Sequence, residues 1–146
     1  MKFLRIILVL VIVGPILYWL STFFFYADFK NACFIKIIPS FGPSNWNTKE
    51  VLNILRYGSP ENYALFCANI DTIDKNPSCG GFDGGCYEVR NSKTVFIGND
   101  QNNIALTAAV FVHETCHAIQ SHEGRPIDQT ECYEKGSKFL ENIIIK

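Results

Sequence analysis

The longest apolar stretch of the chain runs from Ile6 to Ala27 and contains 22 residues without a charge. As a helix it would be roughly 33 Å long, which is enough to cross the hydrocarbon core of a bilayer. Lys2 and Arg5 precede it, and Tyr18 and Trp19 lie toward its far end, as in an interfacial aromatic belt. The pattern predicts an N-terminal transmembrane helix over residues 1–27, with the lipid bilayer as its partner through residues 6–27.

A cleaved signal peptide is the alternative interpretation of the same stretch. Such a peptide has a shorter apolar core, of about 7–15 residues, and ends in a small-x-small cleavage site. The apolar run is longer than that, and Phe25-Tyr26-Ala27 is a poor cleavage site. We therefore expect an uncleaved signal anchor.

The orientation of this anchor depends on charges and cysteines. Lys2 and Arg5 on one side and Lys30 and Lys36 on the other leave only a modest positive-inside bias. All six cysteines follow the apolar stretch, and an even number is typical of an oxidising compartment, although scattered thiols in a cytosolic domain remain an alternative. We expect a single-pass membrane protein with a cytosolic N-terminus and its C-terminal domain on the periplasmic or extracellular side.

Two helices are predicted at the start of the C-terminal domain, after a juxtamembrane connection over residues 28–46. Asn47 begins a capping-box-like sequence, and the helix that follows should end at Gly58. Pro60 stands at the first position of the second helix, where proline is tolerated. The domain is expected to span residues 47–146.

A β-hairpin is predicted from Cys86–Arg90 and Thr94–Ile97, which are joined by three polar residues. Val95–Gly98 is the predicted edge strand, to which an extended peptide could add by backbone pairing. A core strand without that role is the alternative. The glycine-rich loop before the hairpin is bracketed by Cys79 and Cys86, and a disulfide between them would constrain it.

The stretch from Ile104 to Ser121 predicts a buried helix, capped by Asn103, because it is apolar on nearly every face. It contains the motif H-E-x-x-H. His113 and His117 lie one turn apart and can bind one Zn²⁺, while Glu114 is rotated by about 100° and can flank the metal. Buried polar groups without partners cost a few kcal/mol each, and a metal would satisfy all three.

A catalytic zinc usually has three protein ligands and a water. The metzincin pattern needs glycine at position 120 and histidine at position 123, and the chain has Gln120 and Glu123 there. That class is therefore excluded. The acidic and histidine side chains that remain as third ligands are Glu131, Glu134, Asp128 and His122.

The order His113-Glu114-x-x-His117, a short loop and Glu131 on a following helix resembles the gluzincin metallopeptidases, especially their minimal forms, over Val95 to Phe139. The resemblance implies a zincin-like domain in which His113, His117 and Glu131 bind Zn²⁺. It also implies that Glu114 activates the zinc-bound water. Larger gluzincins have further acidic residues near the third ligand, whereas only Glu134 is present here, and it could exchange roles with Glu131.

The resemblance also bears on the cysteines. If Glu131 reaches the metal, Cys116 and Cys132 come close together, and a disulfide would join their helices. Cys33 and Cys67 would then form the remaining pair. Cys116 as a zinc ligand is the competing hypothesis.

The expected fold class is α+β, with an N-terminal transmembrane helix followed by helices packed on a short β-hairpin or sheet. A net charge of −1 argues against a nucleic-acid partner, which needs a basic surface. The expected function is a membrane-anchored zinc metallopeptidase acting on a peptide or protein substrate. The alternative is a membrane-tethered binding or adaptor module with a structural zinc.

Overall fold

The computed structural model describes residues 11–18, 23–39, 47–76, 78, 84–98 and 103–144. The strands are β1 (Phe25–Asp28), β2 (Cys33–Ile38), β3 (Thr72–Asp74), β4 (Gly85–Tyr87) and β5 (Thr94–Ile97). The longer helices are α1 (Thr48–Gly58), α2 (Pro60–Asn69), α3 (Ile104–His122) and α4 (Gln129–Ile144). Short 3-10 helices lie at Phe29–Asn31 and Val89–Asn91. The predicted mixture of helix and sheet is confirmed.

The strands form one five-stranded mixed sheet in the order β1-β2-β3-β5-β4. β2, β3 and β5 are parallel, and β1 and β4 flank them in antiparallel pairs. Side chains alternate between buried and mostly exposed along β2, and between half-buried and buried along β5, so one face of the sheet is covered. Its buried residues pack with the apolar faces of the helices, and the stacked rings of Phe66 and Phe111 lie 5.1 Å apart in that core.

Helix starts follow the polar residues that the sequence places before them. The side chains of Asn47, Ser59, Asn103 and Asp128 accept hydrogen bonds from backbone N–H groups in the first turns of α1, α2, α3 and α4. These N–H groups have no partner within the helix, so the caps stabilise the termini by roughly 0.5–2 kcal/mol each. The predicted helix starts are confirmed.

Two disulfides join the sheet and helices. Cys33–Cys67 links β2 to α2, and Cys116–Cys132 links α3 to α4. Both pairings agree with the prediction, which leaves Cys116 in a disulfide and not as a thiolate ligand. Cys86 is also disulfide-bonded, whereas Cys79, its predicted partner, lies outside the described residues.

The predicted transmembrane helix, and with it the single-pass topology and the cytosolic N-terminus, is wrong. Within the described ranges, the structure has no helix with the length and apolar character needed to cross a membrane. Residues 11–18 are helical, but the end of the apolar run belongs to β1. Residues 6–10 and 19–22 lie outside the description.

The polar contacts of β1 explain this correction. Tyr63 donates a hydrogen bond to Asp28 at 2.9 Å and accepts one from Tyr26 at 2.8 Å, and Arg56 forms an ion pair with Asp28 at 3.1 Å. Residues 25–28 therefore alternate between an exposed and a polar, buried side, as a half-buried strand does. Strand β2, within the predicted juxtamembrane connection, pairs with both β1 and β3.

The predicted hairpin is confirmed, but the predicted edge strand is wrong. β5 is paired on both sides, with β3 and with β4, so Val95–Gly98 offers no free edge. β4 lies at the end of the sheet instead. Sequence periodicity describes which residues face the core, but it does not determine the order of strands in a sheet.

Candidate metal centre

Helix α3 carries the three polar residues of the motif into the interior. It contacts α1, α2, α4, β4 and β5, so nearly its whole circumference is covered. His113, Glu114 and His117 are only 1%, 2% and 3% exposed. The motif is therefore part of the core and not a set of surface residues on one side of a helix.

The two histidines present their Nε2 atoms to each other at 3.1 Å. One ligand atom from each of His113, Glu114 and His117 can be chosen so that all lie within 4.8 Å of one another. Zinc at about 2.0–2.1 Å from tetrahedral nitrogen ligands would hold those nitrogens roughly 3.3 Å apart, which the histidine pair matches. The group could hold a metal ion.

Glu114 points toward the edge strand. A Cβ placed on Gly85 would lie 2.7 Å from the Glu114 carboxylate and would also overlap Val110. The close approach of β4 to α3 therefore requires glycine at this position. Burial raises the pKa of Glu114 to about 8, because the ionised carboxylate loses solvation.

His113 is held in its neutral form. Burial and, to a smaller extent, the nearby His117 lower its pKa to about 4, while hydrogen bonds that the ring donates to Gln129 and to the Cys132 backbone act in the opposite direction. A neutral imidazole retains a lone pair that a metal can use.

His117 is oriented by Gln120, which sits behind it. The amide NH₂ of Gln120 donates to the Asp128 carbonyl at 3.3 Å and to the Glu131 carboxylate at 3.0 Å, and its Oε1 accepts from the Asp128 N–H at 3.0 Å. These partners determine which way the amide points. His117 Nδ1 therefore donates to Gln120 Oε1 at 3.2 Å, and this hydrogen bond directs Nε2 into the site.

Glu131, the predicted third ligand, lies behind Gln120 as seen from His117. Its carboxylate accepts hydrogen bonds from Arg125 at 2.8 Å, Lys135 at 2.7 Å and Gln120 at 3.0 Å. Arg125, then Lys135 and Gln120, hold the pKa of Glu131 down to about 2. To reach the histidines the carboxylate would have to leave these partners, so ligation by Glu131 stays a prediction.

The other predicted third ligands also have different surroundings. Asp128 caps α4 through its carboxylate, and Glu134 is exposed to solvent. His122 is hydrogen-bonded to Asn69 at 3.0 Å. None of these three is in the His113–Glu114–His117 group.

Gln129 is the residue at the site that the sequence reasoning missed. Its Oε1 lies 3.2 Å from His117 Nε2. It shares one face of α4 with Cys132 and Gly136, three and seven residues later, and the Cys116–Cys132 disulfide holds that face against α3. The three-residue spacing between Gln129 and Cys132 was the feature of the sequence that could have identified Gln129.

A cleft of about 200 Å³ opens over the histidines and Glu114. Tyr87 lies beside His117 with the rings 6.4 Å apart, and Tyr133 meets the His113 ring edge-on at 4.9 Å. The remaining lining comes from Gly85, Cys86, Val89, Ile127 and Gln129. A larger cavity of about 510 Å³ lies beside α1 and α2, but the described residues that line it include no histidine or carboxylate.

Comparison with known proteins gives no match to a family model, a curated protein or a solved structure.

Proposed function

We propose that the chain is a zinc-dependent metallopeptidase in which His113 and His117 hold the metal and Glu114 is the general base. The observation that carries the proposal is the buried pair of imidazole nitrogens 3.1 Å apart, with a buried carboxylate beside them and a cleft above. Such a cluster is costly to bury unless a bound group compensates for it.

Zinc suits these residues better than the alkaline-earth ions do. Two neutral imidazoles are borderline-soft nitrogen ligands, which suit zinc better than calcium or magnesium. When bound, zinc would supply Lewis acidity and lower the pKa of a coordinated water.

Glu114 would move the proton in peptide hydrolysis. Its buried carboxylate, with a pKa raised to about 8, can accept a proton from the attacking water and pass it to the leaving nitrogen. A nearby cation would favour the ionised form, so the carboxylate would be a base when the site is loaded. The position of Glu114 against Gly85 limits its motion.

The edge strand β4 offers a place for the substrate. Its outer side is unpaired in the described sheet, and it borders the cleft together with His113 and Glu114. An extended peptide could add to this edge by backbone hydrogen bonds, as in other cases of strand addition. This transfers the predicted substrate-binding edge from β5 to β4.

The very low exposure of the three motif residues favours a second candidate function, a binding module with a structural zinc. Structural zinc sites are closed by protein ligands, whereas catalytic ones keep an open position. The two functions share a metal but differ in turnover.

Zinc analysis and peptide cleavage by the purified full chain separate these functions. We expect the wild type to contain zinc and to cleave peptides from a mixed library. Glu114→Gln should retain zinc and lose roughly 10²–10⁴-fold in cleavage rate, because proton transfer is removed. The matched variant Glu141→Gln, at an exposed position on α4, should behave as the wild type.

Each contrary outcome has a distinct meaning. Zinc without any cleavage by the wild type would refute the peptidase and leave the binding module. A wild-type chain that takes up no zinc would refute both functions.

A further inference from the structure

The first turn of α4 is held rigidly beside the histidines. The Cys116–Cys132 disulfide ties α4 to α3, and a Cβ on Gly136 would lie only 3.2 Å from the Ala109 carbonyl, so the helices are in close contact. Gln129 lies on this same contact face, at the start of α4. The backbone of Gln129 is therefore placed by the packing of two helices, while the residue itself is exposed at the mouth of the cleft.

The atoms around His117 Nε2 have a common electronic character. The Oε1 atom of Gln120 accepts a hydrogen bond from His117 Nδ1, and this orientation directs the other ring nitrogen, Nε2, into the site. Nε2 then faces Gln129 Oε1 at 3.2 Å and His113 Nε2 at 3.1 Å. An imidazole nitrogen and an amide oxygen, both atoms that can ligate a metal, therefore lie within 3.2 Å of His117 Nε2.

We propose that Gln129 Oε1 is the third protein ligand of the metal held by His113 and His117, an assignment that rests on the proposed function. A cation placed among these three atoms could accept a lone pair from each of them. The separations of 3.1 and 3.2 Å are close to the roughly 3.3 Å expected between tetrahedral zinc ligands. Glu131 is then a positioning residue that acts on His117 through Gln120.

A neutral ligand set changes the chemistry of the site. Two imidazoles and an amide bring no negative charge to the metal, whereas a glutamate at the third position would bring one. Such a centre is a stronger Lewis acid and binds its metal less tightly. It follows that adding a carboxylate at position 129 should tighten metal binding.

Metal affinity of the full-length protein, with its disulfides intact, tests the assignment. We expect Gln129→Leu to weaken Zn²⁺ binding roughly 10–100-fold, and Gln129→Glu to tighten it by about tenfold or more. Glu131→Gln keeps an oxygen that can accept from Gln120, so its loss should be smaller than that of Gln129→Leu. Glu141→Gln should match the wild type.

Cobalt substitution provides a readout that a merely structural role would not change. The visible absorption bands of bound Co²⁺ report the atoms that coordinate it, so both variants at position 129 should shift the bands. Glu131→Gln should leave them in place. The circular dichroism of each metal-free variant verifies that the fold is intact.

Two results would overturn the assignment. One is unchanged Zn²⁺ affinity and unchanged Co²⁺ bands in both Gln129 variants, as expected if the amide is reversed and its NH₂ donates to His117. The other is a loss of more than about 100-fold in Glu131→Gln, which would return the third position to that carboxylate. A wild type that binds neither metal would refute the proposed function itself.

Discussion

Replacing Glu114 by glutamine should change the stability of the metal-free protein in a way that increasingly favours the glutamine variant as pH rises. Burial raises the pKa of Glu114 from 4.5 to about 8. Between these two values the unfolded chain loses a proton that the folded chain keeps. The unfolded state is therefore favoured as pH rises, and the stability of the wild type falls.

The magnitude follows from the two pKa values. One pKa unit corresponds to about 1.4 kcal/mol, so the cost is about 1 kcal/mol at pH 5, about 3 at pH 7 and nearly 5 at pH 9. Glutamine is neutral at every pH and avoids this cost. Its buried NH₂ group can cost about 1–3 kcal/mol, but that cost does not depend on pH. The stabilisation should therefore increase by about 4 kcal/mol from pH 5 to pH 9.

Urea unfolding of both proteins at pH 5, 7 and 9, with a chelator present and the disulfides intact, measures this difference. Glu141→Gln removes a carboxylate from an exposed position and should show no comparable trend. A stability difference for Glu114→Gln that changes by less than about 1 kcal/mol over this range would refute the reasoning. Excess zinc should reduce the trend, because a cation favours the ionised carboxylate.

Three further variants test how the site is supported. Gly85→Ala should destabilise the protein by about 1–3 kcal/mol in urea unfolding, because the new methyl group meets Glu114 and the α3 core. Replacing both Cys116 and Cys132 by serine should lower the free energy of unfolding by about 3 kcal/mol, because the disulfide between α3 and α4 is lost. The release of α4 from α3 should also weaken Zn²⁺ binding in calorimetry, and an unchanged zinc affinity would contradict that role of the disulfide. Tyr63→Phe removes a donor to a buried carboxylate and should cost about 1–3 kcal/mol in thermal unfolding without changing zinc affinity.

Much of the local structure was predictable because it is encoded within a few residues. The polar caps Asn47, Ser59 and Asn103 lie directly before the segments that form α1, α2 and α3, and each begins a helix. The same is true of His113 and His117, since a spacing of four on a helix places both imidazoles on one face wherever that helix packs.

Predictions that depended on long-range contacts were less successful. The apolar run before Asp28 satisfied the length criterion for a membrane span, but residues 25–28 pair with β2 and bury polar groups against α1 and α2. Similarly, Val95–Gly98 has the pattern of a strand, but its place between β3 and β4 arises from the order of the sheet. A hydrophobic pattern predicts which residues are buried, but it does not predict which strand or helix packs on them.

The sequence by itself determined the motif helix, its caps and the pair of histidines, because these depend on contacts within one or two helical turns. Only the tertiary structure decided what faces them. The rotation of α4 is set by the Cys116–Cys132 disulfide and the close approach at Gly136, and it brings Gln129 to the histidines while Glu131 is held by Arg125 and Lys135. Gln129 and Glu131 are two residues apart, so their side chains leave α4 in directions that differ by about 200°. The packing of α4 therefore decides whether the amide or the carboxylate faces the histidines.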